Sequence, residues 1–259
     1  MDVSVPIRRI LDLTMPQRAL LVCGGRFHDF DFARSEILSL LGAHPDVRTR
    51  VFEDFREMSA LAEANFLVTY TCDVRPTESE QEALADFVRK GGRWLALHGT
   101  NSILEFDKEG IVHCPKAAPL FSEVLGSRFL GHPPISAYRV DVSQPEHPLV
   151  VGIESFEVND ELYLCELSAE IDTLLETDFS GNISGFAHSD WSQVAPRPVM
   201  YLRNYGKGQV LYNTLGHCRG RYDMQPLILD YPQVERGAWE QPVYYELLRR
   251  GLIWAKGQL

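Results

Sequence analysis

The segment RWLALHGTNS, Arg93 to Ser102, is a short apolar run that stops abruptly at His-Gly-Thr. Its length and its flanking glycines, Gly91-Gly92 before and Gly99 within, suit a strand in the middle of a sheet with an imidazole at its tip. Upstream, TESEQEALADFVRKGG (Thr77 to Gly92) has a Ser/Thr cap region, acids in its first turn and Arg-Lys in its last, which predicts a helix. Before that helix come RALLVCGG (Arg18 to Gly25), a buried strand with a Gly-Gly exit, FARSEILSLLGAH (Phe32 to His44), a helix stopping near Gly42, VRTRVFED (Val47 to Asp54), a more polar strand, and NFLVTYTC (Asn65 to Cys72), another strand. Strands alternating with helices in this way predict an α/β fold with a parallel sheet covered on both faces.

Downstream the rhythm changes. SRFLGHPPISAYRVDVS (Ser127 to Ser143) alternates after Pro134, and Ile135 to Val142 is expected as a sheet-edge strand open to pairing with a second copy of the chain. HPLVVGIESFEVNDELYLCEL and IDTLLETD predict short strands. PVMYLRNYGKGQVLYNTLGH (Pro198 to His217) predicts a hairpin turning at Tyr205-Gly-Lys-Gly, and VYYELLRRGLIWAKG (Val243 to Gly257) a closing amphipathic helix. No linker rich in Pro, Gly or Ser divides the 259 residues, so one domain, 1–259, is expected.

Composition narrows the function classes. A net charge of −11 repels phosphates and argues against nucleic acid or an anionic membrane as partner. No apolar run approaches the roughly 20 residues that span a bilayer. The N-terminal MDVSVPIRRILDLTMPQ lacks the apolar core of a secretory signal. Five widely spaced cysteines without a CxxC suit a reducing compartment, so a cytoplasmic location is expected.

Ligands of open parallel sheets bind beyond the carboxyl ends of the strands. GGRFHDF places His28 and Asp29 there, and LHGTNS places His98, Gly99, Thr100 and Asn101. FLGHPP adds His132, NDELY adds Glu161 and Tyr163, and NTLGH adds His217. His98, His132 and His217 each adjoin a glycine that lets backbone and ligand approach closely. Asp29 also suits a helix N-cap, and Glu161 a solvated edge. His44 and His188 suit the surface, and His147, before a proline, a turn.

GGRFHDF, WLALHGTNS, RFLGHPP, HPLVVGIESFEVNDELY, NYGKGQVLYNTLGH and RRGLIWA, in this order from Arg18 to Ala255, resemble the ThuA-like (trehalose utilisation) family. The resemblance implies a fold similar to the class I glutamine amidotransferases, a flavodoxin-like sandwich, here with an added β-hairpin and edge strands. In those enzymes a cysteine nucleophile stands on a strained strand-to-helix elbow with a later histidine as base. His98 stands where that thiol would be and His217 where that base would be, so glutaminase activity is not expected. Neither Cys114 nor Cys218 lies on an elbow-like pattern.

The resemblance also implies sugar metabolism, with an NAD-dependent sugar dehydrogenase in the same pathway making 3-keto sugars. On such a substrate, a base removes the acidified proton at carbon two and the glycosidic oxygen at carbon one leaves; water then completes a hydrolysis. His98, His217, Glu161 and Tyr163 are the expected catalytic residues, with Tyr163 donating to the leaving oxygen. His28, Asp29, Gly99, Thr100 and Asn101 are expected to bind substrate, Asp29 also orienting His28. His98, His132 and His217 are expected to hold a divalent metal, zinc or another first-row ion, with Glu161 an alternative third ligand. No nucleotide cofactor is expected. The loops Glu105 to Ser122 and Ser180 to Arg197 would set substrate choice. Two other readings stand beside the enzyme: a sugar-binding sensor whose pocket includes Trp191 and Tyr222, and a scaffold that has kept an amidotransferase-like shape.

Overall fold

Thirteen strands and four helices follow in chain order among the described residues, 15–259 of a computed structural model. They are β1 (Gln17–Gly25), α1 (Phe30–Gly42), β2 (Val47–Phe52), β3 (Phe66–Cys72), α2 (Glu78–Arg89), β4 (Arg93–Leu97), β5 (Glu105–Phe106), β6 (Val112–His113), α3 (Pro119–Leu125), β7 (Ser127–Gly131), β8 (Ser136–Val142), β9 (Phe156–Asp160), β10 (Leu164–Leu167), β11 (Asp172–Asn182), β12 (Asp190–Tyr205), β13 (Gly208–Asn213) and α4 (Pro242–Ala255). The reading of residues 1–14 as lacking a secretory signal lies outside the described residues.

Nine strands form one sheet in the order β2-β1-β3-β4-β13-β12-β11-β8-β9. The first five run parallel, and from β12 onward each strand is antiparallel to its neighbour. The parallel part is as the strand–helix alternation predicts. Side chains of a strand alternate between its two faces, and here both faces are covered. Leu21, Val68, Leu95 and Leu211 pack with α1 and α4, while Leu20, Leu67, Trp94 and Val210 pack with α2 and α3. Every residue of β3, the central parallel strand, is buried.

Local chemistry starts the helices where the strands need them to start. Thr77 and Glu80 close a capping box on α2. Asp29 accepts from the Phe32 amide and caps α1, which therefore begins at Phe30 rather than Phe32. No helix among the described residues is long and apolar enough to cross a membrane.

Three expectations are corrected here. The strand from Ile135 to Val142 is not an edge: β8 pairs with β9 on one side and, at Asp141 and Val142, with β11 on the other. Alternation reports that one face of a strand meets solvent, not that one of its edges is free. The Ser180 to Arg197 region is mostly hairpin rather than loop, because β11 extends to Asn182 and β12 starts at Asp190. Pro196 and Pro198, a residue type that sheets admit mainly at edges and bulges, sit in register with Asp178 and Glu176 on a hairpin interrupted by register shifts. The Glu105 to Ser122 region contains the short β5–β6 pair and the first turn of α3, with Pro119 at the position a helix tolerates best.

Candidate metal and acid–base centre

The carboxyl end of the sheet gathers side chains from four separate stretches. His28 follows β1, His98 follows β4, Glu161 follows β9, and His217 lies four residues beyond β13. One donor atom from each lies within 4.8 Å of the other three, and all four residues are buried.

His98 owes its position to a strained turn. Its φ is +42°, in the left-handed region that residues other than glycine rarely adopt. Next to it, a Cβ on Gly99 would come 2.6 Å from the Thr71 carbonyl oxygen and 2.8 Å from the Cys72 Cβ, so only glycine lets the turn lie against β3. Thr100 Oγ1 holds the turn from inside, 2.7 Å from the Leu97 carbonyl and 3.0 Å from Thr69 Oγ1. The Tyr212 hydroxyl donates to the His98 carbonyl. The strand end thus keeps an elbow shape with an imidazole at its apex.

The hydrogen-bond partners decide where the ring protons sit. His98 Nδ1 is 2.8 Å from the Thr214 carbonyl oxygen and His28 Nδ1 is 3.3 Å from that of Arg26. A carbonyl can only accept, so both Nδ1 atoms carry a proton and both Nε2 atoms point inward. Those two Nε2 atoms are 2.9 Å apart. His217 is held the other way round: its Nε2 is 2.7 Å from Glu235 Oε2, and its Nδ1 is buried without a hydrogen-bond partner. Glu161 Oε2 stands among the three rings, 3.5 Å from His98 Nε2, 3.6 Å from His217 Nδ1 and 3.9 Å from His28 Nε2.

The charges are strongly coupled. Burial drives the His28 imidazole down to about 3 despite the nearby Glu161 carboxylate, so this ring is neutral at pH 7. Burial would also depress His217, but Glu161, Glu235 and Asp160 carry it up to about 9. Burial would raise Glu161, but His132, His217 and His28 outweigh it and hold the carboxyl well below the ordinary range.

Asp160 builds the floor beneath this cluster. It is 1% exposed, and its two oxygens accept from four backbone amides: Glu161 at 2.7 Å, His217 at 3.0 Å, Gly216 at 2.8 Å and Ala238 at 3.1 Å. One carboxylate thereby ties the end of β9 to the segment after β13, and so sets Glu161 against His217.

Above the centre lies a cavity of about 180 Å³. His28, Glu161, Tyr163, Ser102 and His132 supply polar groups to its lining, while Phe27, Phe106, Phe129, Phe186, Met224 and Leu227 supply apolar wall. Tyr163 Oη is 3.4 Å from His98 Nε2 and 3.5 Å from Ser102 Oγ. Burial raises this phenol well above its ordinary value, so it holds its proton at neutral pH.

Of the three glycine-adjacent histidines, His98 and His217 meet in the cluster and His132 stands beside it. His132 Nε2 faces the outer carboxylate oxygen of Glu161, Oε1, at 3.2 Å, and His132 is not among the four mutually close donors. His28, expected to bind substrate, occupies the position expected for His132, because it follows β1 of the main sheet, whereas His132 follows β7, which pairs with β10 outside it.

Other expected substrate contacts are corrected. Gly99, Thr100 and Asn101 are buried and none lines the cavity; Asn101 Nδ2 instead donates to Ser127 Oγ at 2.8 Å. Asp29 caps α1 with one oxygen and pairs with Arg236 at 3.1 Å through the other, so it does not orient His28. Trp191 packs with Leu162, Leu164 and Ile183, and Tyr222 is 61% exposed; neither lines the cavity.

Sequence reasoning missed Asp160 and Glu235. Asp160 adjoins Glu161 in the quoted NDELY, and consecutive residues of a strand point to opposite faces, which is a usable signal for a second role. Glu235 lies in QVERG, where no periodicity or spacing marks it.

The sequence pattern of the ThuA family, described as trehalose utilisation, matches residues 18–229. No curated protein is significantly similar to the chain. Among solved structures, a ThuA-like protein from Parabacteroides merdae is similar over 94% of this chain and 91% of its own, at 17% identity and a TM-score of 0.66. A ThuA-like protein from Bacteroides uniformis is similar over 93% and 92% respectively, at 17% identity and a TM-score of 0.64.

Proposed function

The chain belongs to the ThuA, or trehalose utilisation, family, and from that premise we propose that it is a metal-assisted enzyme acting on an oxidised, 3-keto glucoside. Carbohydrate utilisation is the family's province; the reaction is our reading. Its main support is the arrangement of ring protons. His28, His98 and His217 each commit one nitrogen to a protein oxygen and turn the other toward Glu161. Metal-binding histidines are held in this way by their outer partners. A tetrahedral ion with ligand atoms about 2.1 Å away places those atoms roughly 3.4 Å from one another. The contacts around Glu161 Oε2, 3.5, 3.6 and 3.9 Å, lie just above that separation, and the 2.9 Å between His28 Nε2 and His98 Nε2 lies below it.

His28, His98, Glu161 and His217 would hold the ion, and imidazole with carboxylate suits zinc or another divalent first-row metal. When bound, such an ion supplies positive charge where the substrate enolate develops. The remaining steps belong to the chain. His132, on the cavity wall, takes the proton from carbon two. Tyr163 gives its proton to the oxygen leaving carbon one as that C–O bond breaks. Water then adds at carbon one, its proton restoring Tyr163, while His132 returns its proton to carbon two, so the net change is hydrolysis. General acid–base assistance of this kind contributes roughly 10²–10⁴-fold.

In this reading an NAD-dependent sugar dehydrogenase supplies the substrate by oxidising carbon three, the chain itself uses no nucleotide, and both work in the cytoplasm. The parallel strand order β2-β1-β3-β4-β13 supports placing the fold with the flavodoxin-like sandwiches. The test is turnover of a 3-keto glucoside and of the unoxidised glucoside by zinc-loaded and chelator-treated protein. Turnover of the ketone alone, lost with the metal, is the expected result; no turnover of either by zinc-loaded protein would refute the proposal.

A further inference from the structure

We infer that Glu235 is a positioning residue that fastens the segment 220–234, which forms part of the cavity wall, to the metal-binding geometry of His217; this rests on the metal reading above. The 2.7 Å contact between His217 Nε2 and Glu235 Oε2 requires the ring to donate, which removes Nε2 as a ligand and leaves Nδ1 facing the centre. Nδ1 is the buried atom without a partner. A rotated ring would give up the Glu235 bond and point its proton at Glu161 and its neighbours instead.

Glu235 is itself anchored. The Tyr231 hydroxyl donates to its Oε1 at 3.1 Å, and Arg219 Nε lies 3.4 Å from its Oε2. Its backbone exchanges two hydrogen bonds of 2.9 Å with Arg219. That exchange closes the intervening residues into a loop, which is crossed again by the Arg221–Asp230 ion pair and by the Tyr231 amide donating to the Arg221 carbonyl at 2.7 Å. The loop carries Met224 and Leu227 into the cavity lining. The wall that a substrate touches and the ring that binds metal therefore share one anchor. Linkage makes the effect mutual: if the anchored loop favours the ion, the ion favours the anchored loop.

The full chain is compared with Glu235→Ala and Glu235→Gln, using zinc alone as the probe. Zinc affinity is measured by competition with a chromophoric chelator, and loop closure by hydrogen–deuterium exchange of the amides 220–234. Removing such an outer carboxylate weakens metal binding by about 10–100-fold, which is the loss expected of Glu235→Ala. Glu235→Gln keeps an acceptor oxygen for Nε2–H and should retain most of the affinity, which a general packing defect would not predict. Zinc should slow exchange of the loop in the wild type and leave it unchanged in Glu235→Ala. Wild-type affinity in Glu235→Ala, Glu235→Gln as weak as Glu235→Ala, or loop exchange indifferent to zinc in the wild type would each overturn the inference alone. A wild type that takes no zinc overturns the metal reading, and this inference with it.

Discussion

His28 Nε2 lies 2.9 Å from His98 Nε2, although the two residues are 70 apart in the chain. Each ring donates its Nδ1–H to a backbone carbonyl on the far side, so the two Nε2 atoms face each other in a buried place. Two imidazole nitrogens this close need a proton or a metal cation between them.

That relationship makes His98→Asn the most direct test of the centre. Asparagine accepts the left-handed backbone of position 98 better than most residues, so the fold should survive. It offers no imidazole, so bound zinc should fall from about one per chain toward none, as read by elemental analysis after metal loading and desalting. Full zinc content in this variant would contradict the assignment of His98 as a ligand.

Asp160, which sets Glu161 against His217, is expected to matter for stability as well. In Asp160→Asn one oxygen becomes an amide that cannot accept, and two of the four amide donors lose their acceptor. Each buried donor left unsatisfied costs about 1–3 kcal/mol. A total near 3 kcal/mol lowers the melting temperature of a chain this size by roughly 6–12 °C. Calorimetry checks this; an unchanged melting temperature would mean that the amides find other partners.

The chelated protein should weaken in acid, partly because of His28. Its folded-state value is about 3 against the ordinary 6.5, so between these pH values the unfolded chain binds more protons than the folded one. Stability is therefore full above about pH 6.5 and falls as pH drops toward 3, by at most ~1.4 kcal/mol per pH unit from this group. Urea midpoints from pH 7 to pH 4, with chelator present, should fall less steeply for His28→Gln than for the wild type. Parallel slopes would mean that His28 titrates as an exposed ring.

The cavity wall predicts ligand preference. Phe106 and Phe27 form one aromatic pair, 5.8 Å between centroids, and Phe129 and Phe186 another at the same distance. A hydrophobic or aromatic leaving group suits such a wall better than a second sugar, whose hydroxyls would lack partners there. Phenyl glucoside should bind more tightly than methyl glucoside by about 1–3 kcal/mol, and Phe106→Ser, at a half-exposed position, should narrow that gap. Isothermal titration of both ligands decides it; equal affinities would place the leaving group elsewhere.

The parallel half of the fold was legible because its signals are local. A four-residue apolar run between glycines, Trp94 to Leu97, a capping box and a Gly-Gly exit are each local in the chain, and the sheet follows from their alternation. Residues 127 to 205 were harder to read. Their strands are antiparallel, interrupted by register shifts and prolines, and placed in the sheet by partners far along the chain.

By itself, the sequence determined that His28, His98 and His217 end up at the carboxyl edge of the sheet, since each follows a strand and a strand's exit is set by its own apolar length. Only the tertiary structure decided which of them meet. His132 looked equivalent to the others, yet it stands on the outer oxygen of Glu161, because the pairing of β7 with β10, outside the main sheet, carries it to the wall. Likewise Asp29 and Asn101 are polar residues beside the centre that turn away from it to satisfy a helix amide and a serine hydroxyl. Direction of a side chain depends on which buried donor or acceptor it must satisfy, and that partner is chosen by packing in three dimensions, not by neighbours in the chain.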